Sequence, residues 1–113
     1  MDIDTKERVA EIRRLNTEFR TTFRGGQVLL TASVAALPST DKANGLQAIA
    51  EFKAFNEEND PHLEADYGSF DLSGREWWFK IDYFAPDMEH ASEDPGDPEK
   101  TMRVMTVGLS MDR

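Results

Sequence analysis

Ser73-Gly74 separates two runs of residues that read as the arms of a β-hairpin, and no other feature restricts the fold of this chain as much. A Ser-Gly dipeptide suits a two-residue turn between antiparallel strands, and the flanking segments Tyr67–Leu72 and Glu76–Phe84 are rich in aromatic and branched residues. Placing Leu72 opposite Arg75 sets Phe70 against Trp77 and Gly68 against Phe79. Trp77, Phe79, Ile81 and Tyr83 then share one face with Phe70. The same register opposes Asp71 and Glu76, a like-charge pair that calls for splayed strands or a nearby cation, with Arg75 to hand.

A hairpin with one apolar face needs a cover, and the rest of the chain supplies it. Val9, Ile12, Leu15, Phe19 and Phe23 recur at steps of three or four, the stripe of an amphipathic helix. Asp4 with Glu7 has capping-box spacing at its start, and Gly25-Gly26 stops it. Lys6, Arg13 and Arg20 stand one heptad apart, with Arg24 after them, and read as a solvated flank rather than an anion site. Gln27 to Ala35 is nearly apolar on both sides and predicts a central strand. Beyond Pro38, Ser39, Thr40 or Asp41 can cap a second helix through Leu46, Ile49, Phe52 and Phe55, ending near Asn56. Ala85–Lys100 has three prolines, six carboxylates and no periodicity, and is a long loop. A last strand, Thr101–Met111, points Met105, Val107, Leu109 and Met111 to one side. The expected fold is α+β in the order α-β-α-β-β-β. Two helices pack on one face of a mainly antiparallel four-stranded sheet, within a single domain over 1–113 carrying a long acidic, Pro-containing loop at 85–100.

Charge is segregated along this framework. Met1–Arg24 carries six Lys or Arg against five acids, whereas Glu57–Glu99 holds fourteen carboxylates against Arg75 and Lys80, a local balance of −12 that exceeds the whole formal charge of −9. Such a surface draws in basic partners and repels phosphate backbones, so direct nucleic-acid binding is disfavoured. A hydrophobic content of 39% still permits a packed core, so the acidity does not imply disorder. With no cysteine, disulfide, thiolate-metal and thiol-nucleophile chemistry are excluded. No secretory signal is evident and Val28–Leu37 is too short to span a bilayer, so a cytoplasmic protein without membrane contact is expected.

Asp60, His62, Glu64 and Asp66 alternate and would line one face of an extended segment. Imidazole and carboxylates could hold a divalent ion, but the spacing fails the calcium-loop template, with Ala65 where glycine is needed and Asp71 at the twelfth position. No metal or cofactor is expected. Nucleophile elbows and phosphate-cradling loops are absent, and Gly25-Gly26 lies between helix and strand, the wrong order for a phosphate site. No catalytic residue can be assigned. Trp78 and Phe84 fall on the face away from the helices, where they pack under the acidic loop or serve as contact anchors.

The segments NDPHLEADYGSF, WFKIDYFAPD and DPGDPEKTMRV resemble an uncharacterised bacterial family of short proteins, a domain of unknown function. The likeness extends from IRRLNTEFR through GGQVLLTASVAALP to the last strand. Where the family pattern runs NDPxGExDFG, this chain has Leu63 and Tyr67, with the acidic positions kept. Members often look plasmid- or mobile-element-borne, which implies an accessory or anti-defence role; the resemblance carries over no catalytic residue.

Three readings follow. In the leading one the chain is a small acidic protein-binding module, a mobile-element inhibitor of a host restriction or CRISPR complex that engages a basic nucleic-acid-binding surface. Its expected contacts are Asp60, Glu64, Asp66, Trp78, Asp87, Glu89, Glu93, Asp94 and Asp97. In the second, a small metal- or ligand-binding protein, hydrolytic in one version, uses Asp60, His62, Glu64 and Asp66 with Glu89 or His90. In the third, a structural subunit buries the Trp78 face in its own homo-oligomer.

Overall fold

The computed structural model describes residues 3–112. Helix α1 (Ile3–Thr22) leads to strand β1 (Gly26–Leu30), a single helical turn α2 (Ala32–Ala35) and helix α3 (Ser39–Ala50). Strands β2 (Tyr67–Leu72), β3 (Arg75–Phe84) and β4 (Met102–Leu109) follow, then a 3-10 turn at Ser110–Asp112. The four strands form one sheet in the order β1-β4-β3-β2. Two pairings are antiparallel, but β1 runs parallel to β4, so the α+β fold has a mixed sheet.

The hairpin forms in the expected register, with Leu72 opposite Arg75, Phe70 opposite Trp77 and Gly68 opposite Phe79. Ser73 and Gly74 take φ of 54° and 78°, the left-handed pair that a tight hairpin turn requires. Asp71 and Glu76 face each other without splaying the ladder; both are exposed, and water screens them.

Four expectations need correction. The apolar run Gln27–Ala35 is strand only to Leu30: Thr31 donates its N–H to the Val107 carbonyl, then accepts the Ala35 N–H, and the chain coils into α2. That turn places Val34 fully in the core. Nor is β1 central. The strand covered on both faces is β4, where Arg103, Val104, Met105, Val107, Gly108 and Leu109 are all buried, while Leu29 at the rim remains 50% exposed. Third, α3 stops at Ala50, because three-residue steps drift around a helix of about 3.6 residues per turn. Phe52 and Phe55 reach the core from irregular chain instead, Phe52 standing edge-on to Phe55 at 5.0 Å and to Phe79 at 5.3 Å. At the other end, Met111 leaves the sheet and is 78% exposed.

The core joins both helices to the inner face of the sheet through Phe19, Val34, Ile49, Phe52, Trp77, Phe79, Ile81, Met105, Val107 and Leu109. Gly45 sets the depth of α3, because a Cβ there would lie 2.2 Å from the Trp77 ring. On the outer face Trp78 lies across Gly108 and donates its indole N–H to the Leu109 carbonyl at 2.9 Å. Its packing partner is therefore β4, at the far end of β3 from the acidic loop; Phe84 is the aromatic at the loop, bridged to Ala91.

Candidate functional site

The acidic segments are fixed by polar side chains of α1. Arg13, Asn16 and Arg20 lie three and four residues apart, so one helical face presents all three inward. The solvated flank expected for the heptad Lys6, Arg13, Arg20 holds only at Lys6. Arg20 is 4% exposed and donates to the Ile49 and Ala50 carbonyls at 2.8 and 3.3 Å, capping the C-terminus of α3. Its guanidinium lies 5.3 Å from the Phe55 ring centre and 5.8 Å from that of Phe79. Burial, and then the nearby Arg13 charge, lowers its pKa.

Asn16, fully buried, is the hub of a network that crosses the molecule. Its Nδ2 donates to the Glu64 carbonyl at 2.9 Å and to the Tyr83 hydroxyl at 2.7 Å, and its Oδ1 accepts from Arg103 Nε at 2.8 Å. Tyr83 passes its own proton toward Glu64 Oε1 at 2.6 Å, so every group has the role its chemistry permits. Arg103 also donates to the Pro95 carbonyl and lies 5.3 Å from the Tyr83 ring centre. Burial raises the Tyr83 pKa, and the Glu64 carboxylate raises it further. One cluster thus holds α1, the 60–66 segment, β3, β4 and the acidic loop together.

The row Asp60, His62, Glu64, Asp66 is not an extended face. Leu63 and Ala65 have φ of 62° and 54°, which breaks the alternation. Asp60 is 3% exposed; its Oδ2 receives Arg13 Nη1 at 2.5 Å and its Oδ1 accepts the Ala65 N–H at 3.0 Å. Glu64 turns to Tyr83 and His62 to solvent. Asp66 is half-buried, and its pKa is raised by burial, with the Glu64 and Asp60 charges adding to it. Asp60 and Glu64 therefore serve the interior, and Leu63 stands 56% exposed on left-handed backbone, a conformation that favours glycine.

The remaining acids lie on 85–100, which is pinned throughout. Ala85 N–H donates to the His90 carbonyl, Ser92 N–H to the Tyr83 carbonyl, and Thr101 Oγ1 to the Asp94 carbonyl. Carboxylates hold the turns: Asp87 accepts the Glu89 and His90 amides, Asp94 that of Gly96, and Asp97 that of Glu99. Asp87, Glu89, Glu93 and Glu99 remain exposed; Asp94 and Asp97 are half-buried. Gly96 lies against Ile12 and the Arg8 carbonyl, which opens a cleft of about 410 Å³ between loop and helix lined by Asp4, Glu7, Arg8, Glu11, Asp94 and Gly96. Sequence reasoning missed this extension onto α1, although Asp4, Glu7 and Glu11 have the three- and four-residue spacing of one helical face. Among the described residues, the metal-ligating atoms that gather within 4.8 Å of one another belong to Asp87, Glu89 and His90, all exposed.

The Asp87 carboxyl titrates low for a clear reason: the Glu89 amide first, then the His90 side chain and amide, hold it down to about 2. A folded-state pKa depressed in this way means that the turn's contribution is complete above the ordinary value of 3.8 and is lost as pH falls toward 2. Carboxyl-carbon NMR should find the Asp87 midpoint near 2, and His90→Ala should move it partway up. A midpoint at 3.8 in the native protein would show that the turn is not formed.

Among the described residues, no helix is long and apolar enough to cross a membrane. No curated protein and no solved structure matches the chain. A family profile does match, over residues 30–112, from the end of β1 through α3, the hairpin and the acidic loop to the 3-10 turn. The chain belongs to the family described as protein of unknown function DUF3768.

Proposed function

We propose that this protein is a binding module whose acidic surface engages a basic protein surface. The observation that carries this reading is the loop 85–100, whose backbone is pinned by turns and by Arg103 while Asp87, Glu89, Glu93 and Glu99 remain open to solvent. A loop ordered in advance loses little freedom on binding, and its charges act together at long range. Asp4 and Glu7 of α1 extend the same surface across the cleft to Asp94, while Glu11 beside them is paired with Arg14 at 2.6 Å. Asp60 and Glu64, spent on Arg13, the Ala65 amide and Tyr83, contribute to the field rather than to contact. The partner proposed is the cationic, nucleic-acid-binding face of a host defence complex, with this chain as a mobile-element inhibitor that occupies it.

Glu89, Glu93 and Glu99 are the residues to reverse, because they are exposed and their side chains hold no turn. The triple change to Lys should slow association by about tenfold or more at low salt, with the difference shrinking as ionic strength rises. Capture from host lysate at two salt concentrations, with circular dichroism as the folding control, measures this. Trp78→Ala, on the outer face, tests whether that face also makes contact: faster dissociation at every salt would include it. Capture unchanged by the charge reversal would sink the acidic-surface reading. The alternative, a metal- or ligand-binding protein, now has its best geometry at Asp87, Glu89 and His90, and calorimetric titration with a divalent cation distinguishes the two.

A further inference from the structure

The chain carries 22 carboxylates, yet none falls between Phe19 and Thr40, where Arg20 and Arg24 are the only charges. Strand β1 lies in the middle of this stretch and at the rim of the sheet, paired with β4 on one side only. Because the Thr31 N–H points at β4 to meet the Val107 carbonyl, alternation turns the amides and carbonyls of Gly26, Val28 and Leu30 the other way. Among the described residues, nothing hydrogen-bonds to that outer edge. The strand has no charge and no proline, and Leu29 and Leu30 are 50% and 36% exposed, so apart from its shortness it lacks the usual protections of an edge.

We infer that this edge pairs antiparallel with β1 of a second copy, on a two-fold axis through Val28, joining two four-stranded sheets into one of eight strands. The strand is self-complementary about that point. Val28 meets its own counterpart and Gly26 meets Leu30, and these are the residues whose backbone groups face outward; each facing pair exchanges two N–H···O=C bonds, about six in all. On the helix side, Leu30 comes opposite a glycine, which leaves room for it; on the outer face, Leu29 comes opposite Gln27. Charge favours the same choice. Elsewhere two chains of −9 present acids to each other, but here the approaching stretches have none, and antiparallel pairing keeps the two Arg24 side chains at opposite ends of the ribbon. A two-fold pairing also uses up the β1 edge of both copies, so this contact closes as a dimer and does not propagate.

Sedimentation velocity over a range of protein concentrations, with hydrogen exchange at Val28 and Leu30, tests this independently of the acidic surface. A concentration-dependent dimer is expected, with both amides protected. Val28→Pro removes an outward donor and leaves the β1–β4 ladder intact; Leu29→Glu places a carboxylate beside the axis. Each should return a folded monomer with the Leu30 amide exchanging freely. Should Val28→Pro fail to fold, Leu29→Glu decides alone. A native chain that stays monomeric at every concentration, or a dimer that survives Leu29→Glu, would overturn the proposal.

Discussion

Phe79→Ala should destabilise the fold by about 3–5 kcal/mol, the usual range for truncating a fully buried phenylalanine. Phe79 has no exposed surface and stands where the two covering layers meet the sheet: Phe52 packs edge-on against it at 5.3 Å, the Phe55 ring lies 6.4 Å away, and the Arg20 guanidinium sits 5.8 Å from its centre. Gly68 across the hairpin is closed by the same rings, since a Cβ there would fall 2.7 Å from Phe79. Small domains have roughly 5–15 kcal/mol of stability to lose, so the variant should show a greatly lowered urea midpoint. A loss below about 1 kcal/mol, the scale of a surface change, would mean that the faces of β3 are assigned the wrong way round.

Asn16→Ala should cost about 2–4 kcal/mol although it removes little apolar surface, because each buried polar group left without a partner costs roughly 1–3 kcal/mol and water partly re-enters. The groups stranded are Arg103 Nε, the Glu64 carbonyl and one bond at the Tyr83 hydroxyl. Because these groups form one unit, Tyr83→Phe in the Asn16→Ala background should cost less than Tyr83→Phe alone, and a double-mutant cycle reads the difference. Additive losses would show that the bonds act separately. Denaturant unfolding supplies the energies, and faster hydrogen exchange across 93–100 should accompany the loss, since Arg103 is the side chain that fastens Pro95.

The parts of this fold that were legible in the sequence are those whose signals are local. A two-residue turn fixes hairpin register, so the pairing of Phe70 with Trp77 could be read residue by residue; likewise, the spacing of Ile12 and Phe19 marks one side of α1. What failed depends on distant partners. Whether Gln27–Leu30 was central or peripheral was decided by β4, some eighty positions later, and the neutral run Ala32–Ala35 suits strand or helix equally until Thr31 finds the Val107 carbonyl. Asn16 and Arg103 are polar residues within an amphipathic helix and a mostly apolar strand, and neither could be assigned a partner from its neighbours in sequence. Only the folded chain shows that they meet each other. The site divides in the same way: the loop acids were visible from composition and missing periodicity, whereas the inward turn of Asp60 and Glu64 follows from left-handed backbone at Leu63 and Ala65 that neither residue type announces.

The order of strands also governs when this protein can fold. β4 is made last, yet it lies between β1 and β3 and pairs with both. Until it arrives, α1 and β1 have no sheet to join and the β3 edge of the hairpin, which β4 will cover, stays bare. Local contacts cannot assemble the domain piece by piece from its beginning; closure waits for pairings of large sequence separation, the class of contact that slows folding most.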